Sequence, residues 1–196
     1  MRRTSSRSRA IALTVLGVAS TIAFSPTAAQ GPMARVTLPG YEVPILLDTL
    51  SIATRIGGSR DSIFSALSQV FTDLGIKVEE KDHSAGLLRN LGVEKYRRLG
   101  KAPLSRYFDC GRGFSGANAD VYRITIALSA WVEPPAGASE RLHVAVVGSG
   151  RDPAGSASGA VKCNSTGRLE AFIAEQVSGK LAGQAPRDGA DRAGGE

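Results

Sequence analysis

The stretch from Ser59 to Leu88, SRDSIFSALSQVFTDLGIKVEEKDHSAGLL, changes its hydrophobic period partway along, and that change decides the fold class. Ile63, Phe64, Leu67, Val70, Phe71 and Leu74 recur at the spacing of one face of a 3.6-residue helix. Ser59 supplies a capping hydroxyl, Asp61 suits the positive end of the helix dipole, and Gly75 offers the left-handed conformation that ends many helices. After Gly75 the period falls to two, with Ile76 and Val78 alternating with Lys77 and Glu79. Asp82 to Gly86 then makes a turn before Leu87 to Leu91, so a helix feeds a hairpin.

Downstream, the alternation lengthens. Tyr122, Ile124, Ile126, Leu128, Ala130 and Val132 share one face of the longest strand, and Arg123, Thr125, Ala127, Ser129 and Trp131 share the other. Glu133 to Glu140, with Pro134-Pro135 and Gly137, reads as a loop, after which Leu142, Val144 and Val146 resume the alternation. A second helix begins near Ser165 or Thr166 and places Leu169, Phe172, Ile173 and Val177 on one side. These patterns predict an α+β fold in helix-sheet-helix order. An antiparallel sheet of about 4–5 strands carries two amphipathic helices on one face.

The helix from Asp61, its glycine stop, the short strand, the Asp-led turn and a second strand opening on Gly86 together resemble the start of helix-grip (BamC-like) modules of bacterial envelope lipoproteins. The resemblance covers about thirty residues plus the element order, at the level of fold analogy. It implies binding or scaffolding and brings no catalytic motif. The chain departs from those lipoproteins in having no lipobox cysteine after its N-terminal segment.

That N-terminal segment assigns a compartment. Arg2, Arg3, Arg7 and Arg9 form a basic head, Ala10 to Phe24 is uncharged and mostly apolar, and Thr27-Ala28-Ala29 offers small residues for cleavage. Residues 1–29 therefore read as an export signal, directing the remainder to the periplasm or the exterior. The alternative is an uncleaved N-terminal anchor, but fifteen helical residues rise only about 22 Å against a hydrocarbon core of roughly 30 Å. The chain carries 24 Lys and Arg against 18 Asp and Glu, for a net +6. Without the four signal arginines the balance is 20 against 18, or +2, which removes the case for nucleic-acid binding.

The remainder divides by composition into an extended lead-in at 30–49, a single α+β domain at 50–178 and a disordered Gly- and Ala-rich tail at 179–196. Between positions 87 and 112, Arg89, Lys95, Arg97, Arg98, Lys101, Arg106 and Arg112 face only Glu94 and Asp109. Such a run is either solvated surface or a docking face for an acidic partner or lipid head groups, with Arg97 and Arg98 at its centre.

Cys110 and Cys163, an even pair in an exported chain without C-x-x-C spacing, predict a disulfide. Beside Cys110, GRGFSG at 111–116 spells G-x-G-x-x-G, but a dinucleotide site needs a helix next, and here a strand follows. The run reads instead as a loop whose base is pinned by Cys110, leaving Arg112 and Phe114 to a partner. Trp131, opposite the core-facing side of its strand, is either a partner contact or covered by the lead-in or the glycine loop. His83 falls in a polar turn and His143 on the sheet face away from the helices, with no cluster that makes a zinc site. Neither G-x-S-x-G nor S-x-x-K is present, and Asp109 and Asp120 are the two acids flanking the glycine loop.

No catalytic, cofactor or metal residues are assigned. The reading is an exported, non-enzymatic cell-envelope protein acting as an interaction or accessory subunit, through an open sheet face and the basic stretch. Its partner is a protein of the envelope, with contact to a membrane surface open and nucleotide and nucleic acid set aside. The alternatives are a binding module for an apolar or amphipathic ligand and a hydrolase whose site carries no sequence signature.

Overall fold

The computed structural model of the chain describes residues 33–133, 140–155 and 159–184. Residues 1–29, read from the sequence as an export signal, the Pro134-Pro135 loop and the residues beyond 184 lie outside the described residues. In chain order come β1 (Arg35–Val36), β2 (Ile45–Leu46), a 3-10 turn (Leu47–Leu50), β3 (Ile52–Ile56) and α1 (Arg60–Asp73). Then follow β4 (Glu80–Asp82), β5 (Leu87–Tyr96), β6 (Arg98–Leu99), β7 (Ala102–Pro103), β8 (Phe108–Asp109), β9 (Arg112–Gly113) and β10 (Gly116–Ala117). The long strands β11 (Arg123–Glu133) and β12 (Glu140–Arg151), then β13 (Ala160–Ser165) and α2 (Arg168–Gln184), complete the described chain.

Seven strands form one antiparallel sheet in the order β4-β5-β11-β12-β13-β8, with β3 also paired to β12. β3 pairs with Glu140 to Val144 and β13 with Gly148 to Arg151, so the two strands lie end to end along one edge of β12. The sheet is thus larger than the four to five strands the alternation predicts. A strand also precedes α1, so the order is strand-helix-sheet-helix. The additional strands are short or irregularly buried: β8 has two residues, and in β3 only Ile56 is buried. Neither gives a period-two signal.

The helices occupy one face. Ser59 Oγ accepts from the Ser62 amide at 3.2 Å and caps α1, which buries Ile63, Phe64, Leu67, Val70 and Phe71. Leu169, Ile173 and Val177 of α2 join them, over Ile124, Ile126, Leu128, Ala130 and Val132 of β11 and Leu142, Val144 and Val146 of β12. Thr166 does not cap α2; its hydroxyl donates to the Arg106 carbonyl at 2.9 Å, while Ser165 Oγ accepts from the Gly167 amide at 3.1 Å. α2 runs through Gln184, so residues 179–184, assigned to the tail by composition, are helical.

The opposite face is covered too, which corrects the open sheet face read from the alternation. Ala34, Val36, Leu38 and the wholly buried Leu47 of the lead-in pack on Leu87, Ala127, Trp131, Ala145 and Val147. Hydrogen bonds hold the cover in register: the Ala34 amide donates to Asp48 Oδ2 at 2.8 Å, and the Tyr41 hydroxyl donates to the Gly148 carbonyl at 3.2 Å. Residues 33–49 therefore belong to the folded unit. The lead-in has no apolar period because its turns and short β1–β2 pairing break any regular repeat, yet its few apolar residues find the sheet.

Candidate interaction surface

The Cys110–Cys163 disulfide is formed, and it staples a projecting hairpin to the sheet. Its placement follows from local sequence. Cys163 pairs across from Gly148 of β12, where an added Cβ would lie 3.1 Å from the Phe108 ring and 3.2 Å from Cys163 Cβ. At Gly150 a Cβ would lie 3.0 Å from the Cys163 sulfur. The two glycines of the Gly148-Ser149-Gly150 run thus leave the space that Phe108 and the bridge fill.

From Cys110 the chain turns through Gly111 and rises as β9, then returns as β10. Asp109 Oδ1 accepts from the Gly111 amide at 2.9 Å, the Asn118 amide donates to the Gly111 carbonyl at 3.0 Å, and Asn118 Nδ2 donates to the Cys110 carbonyl at 3.2 Å. Asp120 Oδ1 accepts from the Ser105 amide at 2.9 Å, tying the hairpin's outgoing end to the preceding segment. Asp109 and Asp120 therefore work as turn and anchor acceptors. At the tip, Phe114 is fully exposed, with exposed Arg112 two residues before it. The glycine run is a strand-turn-strand element followed by a single 3-10 turn (Asn118–Asp120) and then β11, so it presents no α-helix N-terminus to a pyrophosphate.

The basic stretch separates into buried and surface members. Arg89 is buried and pairs with Glu80 Oε2 at 3.0 Å, and Lys95 donates to the Gly75 carbonyl at 2.7 Å. Arg97, at φ +64, stacks over Tyr96 with 5.2 Å from guanidinium to ring, and Arg98 Nη1 donates to the Lys101 carbonyl at 3.2 Å. Arg97, Arg98, Lys101, Arg106 and Arg112 are all exposed. Trp131 is not on this surface; it is 5 % exposed beneath the lead-in, which corrects its place among the possible partner contacts.

Two features were not read from the sequence. A groove of about 650 Å³ runs between α1, α2 and the β6–β7 turn, lined by Leu74, Leu99, Tyr107 and Phe172 with Lys101 and Arg106 beside them. Burial raises the Tyr107 hydroxyl above its ordinary pKa, while the Arg106 charge opposes that shift. On the lead-in side, His143 stacks on Trp131 with ring centroids 4.9 Å apart and planes 12° from parallel. Its Nε2 lies 3.2 Å from Glu133 Oε2 and its Nδ1 3.4 Å from Ser51 Oγ. Arg141 Nε reaches the same Glu133 oxygen at 3.0 Å. The alternation placed His143 and Trp131 on one face, but nothing in the spacing tied them to Ser51.

His83 is exposed in its turn, 3.7 Å from Asp61 and edge-on to Phe64. Among the described residues no group of three or more His, Cys, Asp or Glu is arranged to hold a metal ion. Among the same residues no helix is long and apolar enough to cross a membrane. No family model matches the chain, and no curated protein matches it significantly.

Proposed function

We propose that the chain is an exported interaction or accessory protein of the cell envelope and that the stapled hairpin is its contact element. The carrying observation is Phe114, an aromatic ring held fully in water at the tip of a two-stranded hairpin whose base is covalently fixed. Docking such a ring in a partner's pocket gains about 1.5–3 kcal/mol, and a pre-fixed hairpin loses little freedom on binding. Arg112 beside it, with exposed Arg97, Arg98, Lys101 and Arg106, suits a partner with an acidic rim. Several further features support export: the basic and apolar N-terminal segment, a disulfide of the kind that persists in oxidising compartments, and the helix-grip resemblance. Phe114→Asp is expected to leave the melting temperature unchanged and to weaken partner binding at least tenfold; equal binding by the variant would remove the hairpin from the interface.

A second reading has its own observation. The groove beside α1 and α2 combines an apolar lining with two cations, Lys101 and Arg106, while its one acid, Asp73, is paired with Lys180 at 2.8 Å, so it suits an amphipathic molecule with an anionic end. Native mass spectrometry of the purified protein tests it. A bound species that is lost in Leu99→Glu supports this reading, and a bare mass removes it.

A further inference from the structure

We infer that Ser51 is a nucleophile activated by His143, able to take an acyl group from an apolar ester. The three residues concerned come from separate parts of the chain: Ser51 from the end of the 3-10 turn, Glu133 from the end of β11 and His143 from β12. They form one connected set, Ser51 Oγ to His143 Nδ1 at 3.4 Å and His143 Nε2 to Glu133 Oε2 at 3.2 Å.

The proton positions follow from the donor rules. Glu133, paired with Arg141, can only accept, so the ring nitrogen facing it carries the hydrogen. That leaves Nδ1 as a base toward the Ser51 hydroxyl. The Trp131 face stacked on the imidazole holds the ring in this orientation, and Glu133 acts through His143 as a positioning residue. The arrangement is reached from solvent, since Ser51, His143 and Glu133 are all half-buried.

The surroundings indicate the substrate class. Leu50 and Ile52, the chain neighbours of Ser51, are 45 % and 44 % exposed. Both also line a neighbouring cavity of about 440 Å³, where β3 and β13 leave a gap along β12, with Ile45, Val146 and Val147 on its aliphatic side and Asn164, Ser165 and Glu170 on its polar side. The aliphatic side, which continues from the two chain neighbours of Ser51, suits an apolar acyl group. In the reaction Ser51 Oγ bonds to the carbonyl carbon as its proton passes to Nδ1. The ester oxygen then departs with that proton, and water later attacks the acyl-serine, returning Ser51 and releasing the acid.

An alkyl fluorophosphonate tests the nucleophile directly, because Oγ–P bond formation expels fluoride only at an activated serine. Peptide mass spectrometry of the labelled full-length protein is expected to place the adduct on Ser51. His143→Gln should slow labelling by about 100-fold or more, in the range of a lost general base. With p-nitrophenyl butyrate, Ser51→Ala should reduce hydrolysis to the buffer rate, and Glu133→Gln should lower kcat with KM unchanged. Circular dichroism checks that each variant is folded, and Ser51→Ala carries the decision if His143→Gln is not. No adduct on Ser51, labelling undiminished in folded His143→Gln, or hydrolysis unchanged in Ser51→Ala would overturn the inference.

Discussion

Asp82 illustrates how a single turn residue is fixed and how its charge bears on stability. Its Oδ1 accepts from the Ser84 hydroxyl at 2.7 Å and the Ala85 amide at 3.0 Å, and these bonds, the Ser84 bond first, hold its carboxyl below the ordinary Asp value. A lowered folded value means that stabilisation is present above the unfolded Asp pKa, about 3.9, and is lost as pH falls through the folded value. Asp82→Ala is therefore expected to melt at a lower temperature than the parent at pH 7, with the difference shrinking in strong acid; thermal melts across pH check it. This turn was legible in the sequence because Asp, Ser and Gly each declare local backbone chemistry. Ser51, His143 and Glu133 were not. Positions 51 and 143 meet only because β3 and β12 align, a long-range register that local spacing does not encode.

At the scale of elements, α1, β5, β11 and β12 were legible because their apolar residues repeat at 3.6 or 2. β3 and β13 were not, since each carries few buried side chains; β3 also owes its place to a partner distant in sequence, whereas β13 pairs with β12 just before it. The disulfide was legible as a pair, but its task of fixing the glycine hairpin needed the register of β13 on β12. Replacing Cys110 and Cys163 together by serine releases a loop closed across 53 positions, an expected loss of about 4 kcal/mol in the chain-entropy model. Chemical denaturation measures it; an unchanged midpoint would contradict the bridge's structural role. The lead-in supplies a second element-level test, because Trp131, the only tryptophan, lies under it. Leu47→Ala empties a fully buried position at an expected cost of about 2–5 kcal/mol. It should also red-shift the tryptophan emission, whereas an unshifted spectrum with unchanged stability would mean the lead-in does not cover the sheet.

The whole molecule is a sheet closed on both faces, by two helices on one and the lead-in on the other. That closure removes the broad apolar sheet face as a binding surface and, among the described residues, leaves Phe114 as the most exposed aromatic ring, with Tyr96 about half exposed under Arg97. The α+β class followed from two periodicities. The closure did not, because the covering segment lacks any period and is held by single contacts such as Tyr41 to Gly148. A photoreactive phenylalanine analogue at position 114, irradiated in the native cells that make the protein, bears most directly on the hairpin as the contact element. A single discrete adduct is expected at position 114, weakened by Arg112→Glu and absent from the same probe at exposed Glu175 of α2. Equal or no crosslinking at the two positions would contradict it.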